Sequence, residues 1–242
     1  MYGGCSLPIN LFHTIRSKIS DLAGGRVLYY PGCMTATALP NLLSNYKALL
    51  SDFGIDFVMI NELSCCGSPL LNAGYVQDFE EIKKKNLEIL HRQGISKIIT
   101  NCPHCYVIFK KHYGFETEHI TQTFASHKHK VSYKNREEVV YHDPCLLARE
   151  NNVIAEPREL IRQTGFKIVE PARTKEKTFC CGAGSGVKQN FSELSNRIAK
   201  ERLRQLGAKK VIVSCPYCYA HFQENAENKK SIVEISETLL EH

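Results

Sequence analysis

The feature that most constrains this chain is that it contains one unit twice. "VLYYPGC", ending at Cys33, matches "VVYHDPC", ending at Cys145. "LLSDFGIDFV" matches "LIRQTGFKIV", "SCCGSP" matches "FCCGAG", and "QGISKIITNCPHCYVIF" matches "LGAKKVIVSCPYCYAHF". The tails agree too, "HITQTFASH" with "EISETLLEH", and every pair is offset by 111 to 115 residues. Self-similarity at a fixed period means one supersecondary unit reused. The copies span 27–127 and 139–242; the polar segment 128–138 reads as a linker, and 1–26 is an N-terminal extension.

Each copy alternates strand and helix signals. A short β-rich run (Val27 to Tyr30; Val139 to Tyr141) ends at a cysteine. A helix follows: Leu42, Tyr46, Leu49 and Phe53 recur at helical spacing, and Gly54 stops it. In the second copy Pro157 suits the first turn and Gly165 the C-terminal cap. A second strand comes next ("IDFVMI"; "FKIVEP"), then a Cys-Cys-Gly loop. A longer helix then has Phe191, Leu194, Ile198, Ala199, Leu203 and Leu206 as its expected buried face. Gly94 and Gly207 end these long helices. A third strand ("KIIT"; "KVIVS") runs into Cys-Pro-x-Cys. Strands alternating with helices predict an α/β fold of two tandem parallel-sheet α/β repeats.

Ligand crevices in such sheets lie beyond the C-terminal ends of the strands. Every cysteine of each repeat sits at or past such an end, so three points distant in sequence are expected to converge. The first set is Cys33, Cys65, Cys66, Cys102 and Cys105; the second is Cys145, Cys180, Cys181, Cys215 and Cys218. Their spacings are C-x31-CC-x35-C-x2-C and C-x34-CC-x33-C-x2-C. Structural zinc is satisfied by four ligands, so a fifth thiol is surplus for it. Neighbouring cysteines tend to point apart, so both serve one site only if it is larger than one ion; a multi-iron cluster meets that condition. The glycines after each pair, Gly67 and Gly182, permit a tight turn, and Pro103 and Pro216 stiffen the following ones.

The compartment is read from the same residues. Eleven cysteines without a recognisable signal peptide favour metal or redox chemistry in a reducing cytoplasm over a disulfide framework. No apolar run reaches the ~18 residues of a membrane span. The formal charge of +6 is scattered and reads as a solvated surface, with no nucleic-acid interface.

The tandem Cys, Cys-Cys-Gly, Cys-Pro-x-Cys pattern resembles the cysteine-rich CCG-domain family, which takes in the B-type and D-type chains of heterodisulfide reductase and related iron–sulfur oxidoreductases. "HDPCLLAR" and "CCGAGSGV" look closer to the D type. The resemblance implies pseudo-twofold-related α/β repeats facing each other. It implies that all ten paired cysteines are ligands, five to each of two noncubane 4Fe-4S clusters, with a small disulfide substrate cleaved between them. The alternative is a conduit that relays electrons from a flavin-dependent 2-hydroxy-acid or glycerol-3-phosphate dehydrogenase to a quinone or other carrier. Zinc in one site, or zinc-stabilised modules without redox chemistry, are the remaining readings. No C-x2-C-x2-C-x3-C-P run is present, so cubane clusters are expected on a ferredoxin-type partner subunit, with a flavoprotein as a second partner. Docking in a complex at the membrane periphery stays open.

Around the cysteines, His104, His142, Asp143 and Tyr217 are candidates to donate hydrogen bonds to cluster sulfurs or to supply protons. Local turn or core hydrogen bonds are the competing role. Cys5 reads as a free thiol. "GAGSG" at Gly182 to Gly186 mimics a dinucleotide loop without its spacing. His119, His127 and His129 are expected to be solvated. No HExxH, P-loop or nucleophile-elbow motif appears.

Overall fold

The computed structural model describes residues 25–127, 137–226 and 231–240. Cys5, His129 and most of the expected linker lie outside the described residues. Two parallel sheets are present, ordered β1-β2-β3 and β5-β4-β6-β7. Strands β1 (Arg26–Tyr29), β2 (Ile95–Thr100) and β3 (Glu116–His119) come from the first repeat. Strands β4 (Glu138–His142), β5 (Lys167–Ile168), β6 (Lys210–Val213) and β7 (Ser231–Glu234) come from the second. The central strands are continuous apolar runs rather than alternating ones, as sheets covered on both faces require. In β6, Val211, Ile212 and Val213 are all buried.

The structure departs from the sequence expectations in four places. The second strand of the first repeat, "IDFVMI", shrinks to one parallel bridge, Leu28 with Val58, and its counterpart β5 has only two residues. These segments lie at a sheet edge, where one neighbour supplies all the pairing. The strands β3 and β7 were not expected; "ETEH" has too few apolar residues to signal one. The long helix Ser192–Leu206 buries Ser195, Ala199, Arg202, Leu203 and Leu206, while Phe191 and Leu194 are exposed. Phe191 is only the N-cap residue, so the buried stripe starts at Ser195, keeps the expected Ala199, Leu203 and Leu206, and adds Arg202. Finally, His119 is fully buried, not solvated. It ends β3 and caps the helix Ile120–Ser126, its Nδ1 accepting from the Thr121 amide. His127 is exposed as expected.

The two repeats share a core. Tyr29, Tyr46, Leu49, Ile99 and Phe124 pack with Val139, Tyr141, Leu160, Ile212 and Ile235. The contacts are reciprocal. Helix Ile120–Ser126 of the first repeat packs on Ala155–Gln163 of the second, and Ile235–Leu240 of the second packs on Pro40–Asp52 of the first. Equivalent tyrosines hold equivalent loops: Tyr29 Oη donates to Asn101 Oδ1 at 3.0 Å, and Tyr141 Oη bonds Ser214 Oγ at 2.6 Å. Asn101 and Ser214 each precede the first cysteine of a Cys-Pro-x-Cys turn, so the shared core also anchors the cysteine loops. Among the described residues no helix is long and apolar enough to cross a membrane.

Candidate metal centres

Three loops at the C-terminal ends of the strands bring each set of five thiols together. After β1 and β4 the chain turns into a helix whose first turn carries Cys33 (Gly32–Ala38) or Cys145 (Cys145–Asn151). After β2 and β6, Cys102 and Cys215 are extended N-cap residues, and Pro103 and Pro216 open the helices Pro103–Ile108 and Pro216–Asn225. Proline costs nothing there, because a first-turn N–H has no partner within the helix. Cys105 and Cys218 then fall in those first turns, and hydrogen bonds to Cys102 and Cys181 respectively, with burial, push both thiols up.

The Cys-Cys-Gly loop shows why both cysteines reach one site. Gly67 and Gly182 have φ of +89° and +87°, a left-handed turn that aims each glycine amide at the first sulfur of the pair. Gly67 N lies 3.5 Å from Cys65 Sγ, and Gly182 N lies 3.3 Å from Cys180 Sγ. The second cysteine of each pair turns inward. Cys105 Sγ donates to Cys66 Sγ at 3.5 Å, and Cys218 Sγ donates to Cys181 Sγ at 3.2 Å. The first cysteine meets the remaining loop instead: Cys145 and Cys180 sulfurs are 3.8 Å apart, and Cys33 hydrogen-bonds Cys65. Each adjacent pair therefore spans its cluster of thiols. That arrangement fits a group of several metal ions better than one tetrahedral ion.

Thiols this close compete for protons. Cys66 is pulled down to about 5, first because Cys105 donates to it. Cys180 is pulled down to about 2, first by the hydrogen bond from Cys145. Cys33 is pushed up by its hydrogen bond to Cys65, and Cys145 by its hydrogen bond to Cys180. Each site so gathers one ready thiolate and a set of thiols that metal would deprotonate, the donor chemistry an iron–sulfur group uses.

A cavity of about 580 Å³ opens on the first site and one of about 280 Å³ on the second. They share four lining residues: His104, Gly184, Ser185 and Tyr217. His104 and Tyr217 occupy the same place in the two Cys-Pro-x-Cys turns, and their rings meet edge to face at 5.4 Å. Tyr217 of the second repeat reaches Cys33 of the first, Oη to Sγ 4.0 Å. Gly184 explains part of the "GAGSG" run: a Cβ there would lie 3.0 Å from His104 Nε2. The loop is a backbone approach to His104, and no phosphate cradle is needed to explain it.

The remaining candidates lie behind the second site. Asp143 is fully buried and its carboxylate is engaged by Arg158 Nη1 (2.7 Å) and Nη2 (2.9 Å), Thr174 Oγ1 (3.1 Å) and the Lys175 amide (2.8 Å). That clamp holds the loop and leaves no free oxygen to shuttle protons, so the local hydrogen-bond role describes it. His142 lies with Cys181 and Cys218, their ligand atoms all within 4.8 Å of one another. Burial holds its imidazole down at about 3, so it is neutral. Arg202, which donates to His142 Nδ1 at 3.2 Å, is not among the residues the sequence singles out. Its signal is a cationic side chain at helical spacing between Ala199 and Leu206, inside the stripe expected to be buried.

The family model for the CCG cysteine-rich domain matches residues 27–110 and 139–223. The D-type chain of the dihydromethanophenazine:CoB–CoM heterodisulfide reductase of Methanosarcina acetivorans is 30% identical over 243 aligned positions, covering 92% of this chain and 59% of that protein. The probable iron-sulfur-binding oxidoreductase FadF of Bacillus subtilis is 31% identical over 77% of this chain and 28% of its own length. The EtfAB:quinone oxidoreductase of Syntrophomonas wolfei is 29% identical over 79% of this chain and 30% of its own. The chain thus spans about six-tenths of the first relative and about three-tenths of the other two.

Proposed function

Because the chain belongs to the CCG cysteine-rich domain family and carries two copies of the domain, we propose that it is an iron–sulfur oxidoreductase subunit that reduces a small disulfide. The observation that carries this reading is the pair of five-thiol sites whose cavities meet at His104, Gly184, Ser185 and Tyr217. Cys33, Cys65, Cys66, Cys102 and Cys105 would hold one noncubane 4Fe-4S cluster, and Cys145, Cys180, Cys181, Cys215 and Cys218 the other. When bound, the two clusters supply one electron each, and the disulfide takes these with two protons to become two thiols. The chain's own residues place the substrate. His104, Ser185 and Tyr217 are the polar side chains common to both cavities and would hydrogen-bond it where they meet. Ser68, Asn72, Gln189 and Asn190 line the larger cavity and would bind the rest of it without charge. The Cys-Pro-x-Cys helices and the buried Cys66 and Cys181 keep water from the inner sulfurs. A ferredoxin-type subunit and a flavoprotein would deliver the electrons.

The likeness to a quinone oxidoreductase favours a second reading, a relay that passes electrons to a quinone and has no disulfide substrate. One experiment tests both. The protein is reconstituted anaerobically, iron, sulfide and zinc are counted, and the loaded protein is given reduced viologen with either a disulfide or a quinone. The proposal expects about eight irons per chain and thiol production. Iron with electron transfer to quinone alone supports the relay. One or two zincs without iron overturn both.

A further inference from the structure

A guanidinium that forms no ion pair is buried behind the second site. Arg202 is fully buried. Nε donates to His142 Nδ1 at 3.2 Å, Nη1 to the Arg173 carbonyl at 2.9 Å and to Gln205 Oε1 at 3.4 Å, and Nη2 to Thr178 Oγ1 at 3.2 Å. All four acceptors are neutral, and among the described residues no carboxylate forms an ion pair with it. The contrast with Arg158 is direct, since that side chain is paired with both Asp143 and Glu170. Burial lowers Arg202 only to about 10, so it carries its charge at neutral pH. A buried charge left uncompensated is strongly unfavourable. The negative groups that act on it from nearby are Asp143, already paired with Arg158, and the Cys218 sulfur, against the like charges of Arg173 and Arg149.

His142 leads to the same sulfur. A guanidinium Nε–H only donates, so His142 Nδ1 must accept, and in the neutral ring the proton is on Nε2. That Nε2–H is buried and has no partner among the described residues. The ring sits beside Cys181 and Cys218. An orphaned donor and an unpaired cation thus converge on the sulfurs of one site.

Among the described residues the first site has neither. Tyr30 stands where the second repeat has His142, three residues before the leading cysteine, and its hydroxyl is satisfied by the Ser64 carbonyl at 2.9 Å. Counting back from the glycine that ends each long helix, Arg202 matches Ile89. The groups that brace the first Cys-Cys-Gly loop, Asn86 and Tyr113, are neutral: Asn86 Nδ2 donates to the Cys65 carbonyl at 3.0 Å and Tyr113 Oη to the Cys66 carbonyl at 3.2 Å.

We propose that Arg202, acting through the Nε2–H of His142, makes the second site the more easily reduced of the two, so that a single electron from a low-potential one-electron donor resides there and not at the first site. This rests on the reading that both sites hold iron–sulfur groups. Reduction adds one electron and no proton to the group at the second site. The added negative charge is stabilised by the buried cation and by the unpartnered His142 N–H beside the sulfurs, two of the levers that set such potentials. Arg202 is a positioning residue and touches neither substrate nor metal.

The test is an anaerobic redox titration of the loaded protein, followed by EPR, with Cys66→Ala and Cys181→Ala assigning the waves. Two waves are expected, the upper one surviving in C66A. Arg202→Met should lower that wave by at least a tenfold change in its reduced-to-oxidised ratio, about 59 mV for one electron. The other wave should stay within about threefold, and iron content should be unchanged. If R202M does not fold, His142→Phe carries the question and should move the same wave in the same direction. An upper wave that belongs to the first site, or waves that R202M and H142F leave in place in iron-loaded protein, overturns the inference and leaves the proposed function standing. Absence of iron at both sites, seen in the metal count, overturns the two together.

Discussion

The two repeats build the same ring of thiols and surround it differently. Both use a leading cysteine on a helix start, a left-handed glycine behind the cysteine pair, and a proline-opened helix. Around the first ring stand Tyr30, Asn86 and Tyr113; around the second stand His142, Arg149, Arg158 and Arg202. The backing loops differ accordingly. Gly32 of the first repeat has φ +76°, and a Cβ there would meet Cys105 Sγ at 3.2 Å. The second repeat has Pro144 at that place, with φ −63°, and holds the loop through the Asp143–Arg158 clamp instead. The two copies keep the thiol geometry and differ in what surrounds it.

The largest effect expected from breaking this comparison is loss of one ring. Cys66→Ala and Cys181→Ala each remove the inward cysteine that meets the Cys-Pro-x-Cys turn, and each should halve the iron bound. If the two sites act together on one disulfide, either variant abolishes thiol production, whereas a relay needing one site would keep turning over in one of them. Iron counting and a thiol assay read both outcomes.

Next in size are the glycines. Gly67→Ala and Gly182→Ala each force a left-handed alanine into a filled space, at a combined cost on the order of 3 kcal/mol. They should differ. The new Cβ of G67A meets the ring of Phe79 at 2.6 Å, a fully buried side chain that must shift. That of G182A meets Ile198 Cβ at 2.9 Å and the Ser195 carbonyl at 3.0 Å, so helix backbone must shift as well. Urea denaturation should find G182A the less stable of the two.

The subtlest comparison involves pH. His119 and Glu234 hold matching places, each fully buried at the end of an outer strand and capping the next helix. Burial lowers His119 to about 4 and raises Glu234 to about 7, against ordinary values of 6.5 and 4.5. The neutral histidine binds fewer protons folded than unfolded, so its share of stability rises between about pH 4 and 6.5. The buried carboxyl binds more, so its share falls between about pH 4.5 and 7. Each amounts to about 3 kcal/mol, and they nearly cancel. Glu234→Gln keeps an acceptor for the Ser236 amide and a partner for Tyr46, so it should unmask the rising slope. His119→Gln should unmask the falling one. Melting temperatures across pH 5 to 7 that stay flat in both variants would count against the opposed pair.

Much of this was written in the chain. The repeat, the parallel α/β layout, the helix from Leu42 to Gly54 and the clustering of cysteines at strand ends follow from local signals: apolar runs, helical spacing, and glycine and proline where φ or a missing N–H demands them. Those signals weaken at sheet edges. "IDFVMI" reads as a strand by its own preference, yet with one neighbour it forms a single bridge. "ETEH" reads as nothing, yet it pairs in register with β2 from Lys97 to Thr100, because a strand beside an established one needs partners more than propensity.

The sequence by itself determined which thiols would gather at each site, because cysteines at fixed spacing around strand ends have few places to go. Only the tertiary structure decided what each ring sees. Arg202 lies 57 residues from Cys145 in the chain, and the helix register that buries Ser195 and exposes Phe191 is what brings it to His142. His104 and Tyr217 are equivalent in sequence, and only the packing of one repeat against the other sends each to the boundary between the sites. Hydrophobic spacing records that a face is buried. It does not record which side chain across the interface the face will meet, since that depends on the shared core through which the two repeats dock.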